Sequence, residues 1–147
     1  MLEVKKYLLL VVVALLNGCI SINTVEELRA TSRLSPVYHA DESLEDLEDS
    51  IQAYMTICNK PDYNPVRING TVVGGALLSV DRIEVENGVD YVAKQAVQDG
   101  YFHYLLVSLR GGNRPNKSTA QVFADDHVGE DVFKEVKKIT KGMYWEC

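Results

Sequence analysis

Cysteine is scarce in this chain, and the three present, Cys19, Cys58 and Cys147, are spread too widely for the C-x-x-C spacing of a zinc site. No serine or cysteine stands in an elbow or signature that would mark a nucleophile for His39 or His103. The glycine-rich stretch Gly70-Thr71-Val72-Val73-Gly74-Gly75 lacks the Lys-Ser/Thr and the helix of a phosphate loop, and reads instead as a hairpin corner with a bulge. These absences point away from an enzyme, a metal and a cofactor. Long apolar runs are missing too, since Leu8 to Leu16 falls well short of the roughly 20 residues that cross a bilayer. Basic residues are outnumbered 15 to 21, for a formal net charge of −6, which argues against nonspecific nucleic-acid binding. No internal repeat or low-complexity segment is evident.

What is present begins at the N-terminus. Lys5 and Lys6 precede the apolar run, which stops at Leu16-Asn17-Gly18-Cys19. A basic start followed by a short apolar run has the form of a secretory leader. Its end resembles the lipobox of bacterial lipoproteins, in which the chain is cut before a cysteine that becomes lipid-modified; Asn17 stands where that family usually carries a smaller residue. The resemblance covers residues 1–19 only. It implies a signal peptide over residues 1–18, lipidation at Cys19, a periplasm-facing domain over residues 19–147 and a membrane partner reached through the lipid. Ile20 in place of Asp implies, for a Gram-negative host, delivery to the outer membrane. An ordinary secretory peptide cut nearby and an uncleaved anchor are the alternatives.

With Cys19 lipidated, Cys58 and Cys147 remain, and an oxidising compartment permits them to bond; two reduced thiols are the other reading. Loss of Lys5, Lys6 and Glu3 with the leader leaves 13 basic and 20 acidic residues, and the remaining length suits one domain.

Residues 20 to 35 contain no long Gly/Ser/Pro tether, and Thr24-Val25-Glu26-Glu27 has the form of a capping box, so a short helix is expected close to the anchor. Asp41-Glu42-Ser43 heads a longer helix whose apolar face is Leu44, Leu47, Ile51, Tyr54, Met55 and Cys58. Glu130 to Gly142 predicts a closing helix with Val132, Phe133, Val136 and Ile139 inward and Gly142 as its stop. Between them, β-branched and aromatic residues are punctuated by Asn69-Gly70, Asn87-Gly88, Asp99-Gly100 and a longer Gly111–Lys117 loop. The fold class is therefore α+β, an antiparallel β-meander of about five or six strands with two helices packed on one face.

Two-residue turns at Asn87-Gly88 and Asp99-Gly100 set a register. It pairs Asp81 with Lys94, Ile83 with Val92 and Val92 with Val107. One face then collects Ile83, Val85, Val92, Ala96, Leu105, Val107 and Leu109 as the core under the helices. The other carries Arg82, Glu84, Tyr91, Gln95, Val97, Phe102, Tyr104 and Leu106, a mixed aromatic and polar set that is either a binding surface or is covered by the N-terminal part of the chain.

Site candidates follow from that face. Tyr91, Gln95, Tyr104 and Arg110, with Arg114 on the basic loop, are the expected partner-binding residues, because Tyr and Arg commonly anchor interfaces. Asp125-Asp126-His127 with Glu130 and Asp131 reads as a strand exit and helix start rather than a cation site. The acids from Asp41 to Asp49 read as a solvated helix start. The expected function is a noncatalytic, membrane-anchored lipoprotein that binds a protein or envelope component. An immunity or inhibitor lipoprotein blocking a toxin or hydrolase through an exposed loop is the alternative, and a small hydrolase is a distant third.

Overall fold

A computed structural model of the chain describes residues 22–59, 63–69, 71–97 and 100–147. The expected leader and Cys19 lie outside the described residues, as do Gly70 and Asp99 of the expected turns. Three described helices, α1 (Val25–Thr31), α2 (Leu44–Cys58) and α3 (Asp131–Ile139), accompany seven strands. These are β1 (Arg33–Leu34), β2 (Tyr38–Ala40), β3 (Tyr63–Ile68), β4 (Thr71–Val85), β5 (Gly88–Val97), β6 (Gly100–Gly111) and β7 (Ser118–Ala124). The fold is α+β, as the sequence predicts.

The first two helices start at side-chain caps. Thr24 Oγ1 accepts from the Glu27 amide while the Glu27 carboxylate accepts from the Thr24 amide, completing the capping box. Ser43 caps α2 by accepting from the Asp46 amide at 3.1 Å. Gly142, at φ 63°, ends the last helix in the left-handed conformation that costs glycine little.

Every strand pairing is antiparallel, and β3 to β7 form an uninterrupted meander. The sheet has six strand positions, because β1 and β2 share the outer edge end to end, both against β7. On one face α2 and α3 bury Leu47, Ile51, Met55, Val136 and Ile139 against Val89, Tyr91, Ala93, Leu105, Val107 and Leu109. On the other, Ile22 and Leu28 of the α1 segment cover Val92 and Leu106, with Phe102 and Phe123 at the margin. Two helices thus pack on one face as expected, and a third covers part of the second.

The expected register fails, and its failure corrects the assignment of faces. The β4–β5 turn places Glu86 and Asn87 in its loop, with Val85 opposite Gly88, so Asp81 faces Val92 rather than Lys94. Asn87 takes the positive φ of 55° that the turn requires. Gly88 answers a different need: a Cβ there would sit 2.0 Å from the Leu109 carbonyl oxygen of β6.

Between β5 and β6 a bulge then shifts the ladder. Lys94 pairs with His103 and Ala93 with Leu105, leaving Tyr104 without a partner on β5. One extra residue exchanges the faces of everything beyond it. Leu105, Val107 and Leu109 keep their expected place under the helices, but their β5 partners are Ala93, Tyr91 and Val89. Val92 lies beneath α1 instead, and Ile83 is 38% exposed.

Candidate functional site

The exchange of faces disperses the expected surface. Tyr91 is buried at 2% exposure under α2, and its hydroxyl donates to Glu48 Oε1 at 2.9 Å. Arg82 Nε donates to the same oxygen at 2.6 Å and holds the Glu48 carboxyl below its ordinary range against the opposing effect of burial. Burial pushes the Tyr91 phenol up to about 12, with the Glu48 charge adding to it. Tyr91 is therefore a clasp between the long helix and the sheet. Tyr91→Phe should lower unfolding free energy by about 1 kcal/mol, the usual worth of one such hydrogen bond, read from urea denaturation.

Tyr104 is half-buried against the same core, and its hydroxyl meets Asn59 Oδ1 at 3.3 Å. Burial raises its pKa as well. Gln95 is half-buried in β5, between Leu78 and Phe102. Arg110 lies with Asp90, a residue of the α1-covered face, to which its Nη1 donates at 2.9 Å. Of the five residues named from the sequence, only Arg114 stands fully in solvent without an ion pair.

Arg114 belongs to the β6–β7 loop, and that end of the sheet carries the described site. The loop is stiff. Gly112 N donates to the Lys117 carbonyl at 2.7 Å, and Lys117 N donates to the Arg114 carbonyl at 3.1 Å. Asn87, from the neighbouring turn, clamps its base: Gly111 N donates to the Asn87 carbonyl at 2.9 Å, and Asn87 Nδ2 donates to the Gly111 carbonyl at 3.0 Å. Lys117 pairs with Asp41, and Ser118 Oγ donates to the Glu42 carbonyl at 3.0 Å, so the loop is bound to the approach of α2.

Beside the loop lies an open groove of about 450 Å³, lined by His39, Asp41, Gly112, Arg114, Lys117 and Thr119. A second hollow of about 410 Å³ shares Gly112, Arg114 and Lys117 with the groove and reaches Asn87, Leu44 and Pro115. Electrostatically, the unpaired Arg114 guanidinium shares the groove with Asp41, which is paired to Lys117, while Glu45, Asp46 and Asp49 stand exposed on the first turns of α2. The Lys117 ammonium holds the Asp41 carboxyl below its ordinary range, while burial, then the neighbouring Asp46 charge, raises that of Glu42.

This arrangement offers recognition. A charged tip and a shallow groove can hold a partner's surface, and His39 stands exposed at the rim. Sequence reasoning named Arg114 and the loop but not Asn87 or Asp41 as its supports; the only signal was the Asn-Gly dipeptide, which reads as a turn and says nothing of a second loop 24 residues away. His127 N donates to Asp125 Oδ1 at 3.0 Å, so Asp125-Asp126-His127 forms a local turn ahead of α3. Among the described residues, no three His, Cys, Asp or Glu side chains converge as metal ligands would. No family model, curated protein or solved structure matches this chain.

Proposed function

We propose that the chain is a membrane-anchored lipoprotein that binds a protein or envelope component without catalysing a reaction, and that the β6–β7 loop is the contact. The observation that carries this reading is the braced loop with its unpaired Arg114. A loop held by its own backbone and by Asn87 loses little freedom on binding, so its contacts convert to affinity with a small ordering cost. Arginine is also among the residue types that most often dominate an interface.

The stiffness of the loop favours a second reading, the immunity or inhibitor lipoprotein. A blocking protein needs a tip that keeps its shape inside another protein's cleft, and the exposed acids at the start of α2 suit a basic enzyme.

The test is site-specific crosslinking in the envelope. A photoreactive residue at Asn113 should yield an adduct that one at the exposed Gln52 of α2 does not. Arg114→Ala should remove the adduct and the cellular phenotype with the thermal midpoint unchanged. An adduct from Gln52 and none from Asn113 would place the contact elsewhere. Loss of phenotype in His127→Ala with Arg114→Ala intact would reopen a catalytic role. An adduct with a basic toxin or hydrolase, together with loss of that enzyme's activity in the complex, selects the blocking reading.

A further inference from the structure

Along β4 the residues Arg82-Ile83-Glu84 place a cation, an apolar side chain and an anion in succession. Set antiparallel to a copy of itself with Ile83 opposite Ile83, this segment puts Arg82 against Glu84 and Glu84 against Arg82. It also lies on an open edge. β4 runs from Thr71 to Val85, but β3 flanks it only as far as Leu77, opposite Tyr63. Among the described residues no strand lies along residues 78–85 on the side away from β5. A hollow of about 260 Å³ lined by Gln52, Thr56, Val80 and Arg82 follows this stretch, so α2 does not close over it.

Backbone groups point out of that edge. Val85 and Gly88 close a two-residue turn, and such a closing pair exchanges its hydrogen bonds within the hairpin. The Asn87 carbonyl accepts from Gly111 N on the β6 side, which likewise turns the Gly88 groups toward β4. By alternation, the amides and carbonyls of Arg82 and Glu84 face away from β5 with no described strand to bond. Proteins commonly blunt such edges with proline or with short, broken strands. The opposite edge of the sheet is of that kind, split into β1 and β2 around Pro36, and β3 carries Pro65. Residues 78–85 contain no proline, and Ile83 stands 38% exposed among them. Ile83 lies on the α1 side of the sheet with its β5 partner Asp90; Arg82 and Glu84 lie on the α2 side. Arg82 already meets Glu84 of its own chain at 3.0 Å, yet the Glu84 side chain remains 83% exposed.

We propose that β4 pairs with β4 of a second copy of this chain, antiparallel about Ile83, and so joins two sheets into one. In that register Arg82 and Glu84 exchange backbone hydrogen bonds with Glu84 and Arg82 of the other copy and form the matching ion pairs, while the two Ile83 side chains meet on the α1 side. Centring the pair on Asp81, Arg82 or Glu84 instead sets like charges opposite one another. Centring it on Val80 drives the copy's Glu84 and Val85 into the place held by β3, beside Ala76 and Gly75. The two-fold axis of the proposed pair stands perpendicular to the sheet, so both copies keep the α1 side facing one way. Ile22, where the described chain begins, is buried on that side in each, an arrangement compatible with two lipid anchors in one membrane. The pair itself depends on neither the anchor nor the loop contact, and either reading can fail with the pair standing.

One strand pair is a small interface, so the association is weak in dilute solution and covalent capture is the suitable test. The full chain, expressed from Met1, carries Ile83→Cys or, as a control of similar exposure, Val97→Cys, which is 45% exposed. Membranes and soluble fractions are treated with copper–phenanthroline, and linked species are identified by peptide mapping without reductant. The expected result is a dimer joined from position 83 to position 83, formed severalfold faster than any dimer through position 97. Adding Glu84→Arg to Ile83→Cys should slow the linkage severalfold, because it sets two guanidiniums against each other, with the thermal midpoint of the reduced protein unchanged. Equal linkage at positions 83 and 97 marks random collision and overturns the pair. Linkage of position 83 to a different protein overturns the second copy as occupant of the edge. Linkage unaffected by Glu84→Arg overturns the register.

Discussion

Replacing Cys58 with serine should lower unfolding free energy by about 4–5 kcal/mol, because the bond to Cys147 closes a loop of 89 residues and removes much of the unfolded chain's freedom. The two Cα atoms lie 5.2 Å apart, at the end of α2 and the end of the chain. The bond also fixes the segment after α3, where Trp145 stands edge-on to Tyr54 with ring centres 5.5 Å apart. Without the bond, the residues beyond Met143 are held by the tryptophan contact and the Glu146 amide's hydrogen bond to Glu135 Oε2. Cys147→Ser should match Cys58→Ser, and the double variant should equal either one, because each removes the same bond. The check is urea denaturation with and without reductant, together with limited proteolysis. Identical midpoints for wild type and both variants would show that the bond contributes nothing to global stability.

Parts of this architecture are legible in the sequence because their causes are local. Thr24 and Ser43 announce helix starts through hydrogen bonds three residues long, and the apolar spacing from Leu47 to Met55 announces a buried face. The meander is legible from its turn dipeptides. The bond between Cys58 and Cys147 is legible only by counting, since nothing near either cysteine shows that the other is close.

The faces of the sheet are not legible, for a reason that can be placed on one residue. Tyr104 is the extra residue of the bulge, and a tyrosine at a bulge looks like any strand tyrosine. Missing it moved Tyr91 from under α2 to an imagined surface. The groove is illegible for a different reason: His39, Asp41 and Arg114 meet through the pairing of β2 with β7, and Asn87 braces the loop through the pairing of one turn with another. Contacts of that range carry no period and no spacing. The same is true of α1, whose start is written in its capping box but whose seat over Val92 and Leu106 depends on which way β5 faces.

Asp90→Asn should destabilise the domain by about 3 kcal/mol at neutral pH, because Asp90 is the buried hub that fastens α1 to the sheet. Its side chain is 3% exposed; Oδ1 accepts from Ser108 Oγ at 2.8 Å and Arg110 Nη1 at 2.9 Å, and Oδ2 accepts from Arg29 Nη2 at 2.5 Å. Arg29 comes from α1 and its guanidinium also lies 4.8 Å from the Phe123 ring centre, so one carboxylate joins α1, β5, β6 and, through that ring, β7. Both guanidiniums keep about a third of their side chain in water, which places the loss at the low end for a broken buried ion pair. Burial works to raise the Asp90 pKa, but the donors Arg110, Ser108 and Arg29 together outweigh it and hold the carboxyl below its ordinary value. An acid whose folded pKa lies below its unfolded value of about 3.9 contributes in full above that value and loses its contribution as pH falls through the folded pKa. The gap between wild type and Asp90→Asn should therefore be widest at pH 7 and narrow below about pH 4. Urea titrations at both pH values test the sign, and a gap that stays constant or widens in acid would remove the carboxylate charge as its source. Hydrogen exchange should show where the loss falls, with the amides of Val25–Thr31 opening first, because that helix leads back toward Cys19 and Asp90 is what ties it down.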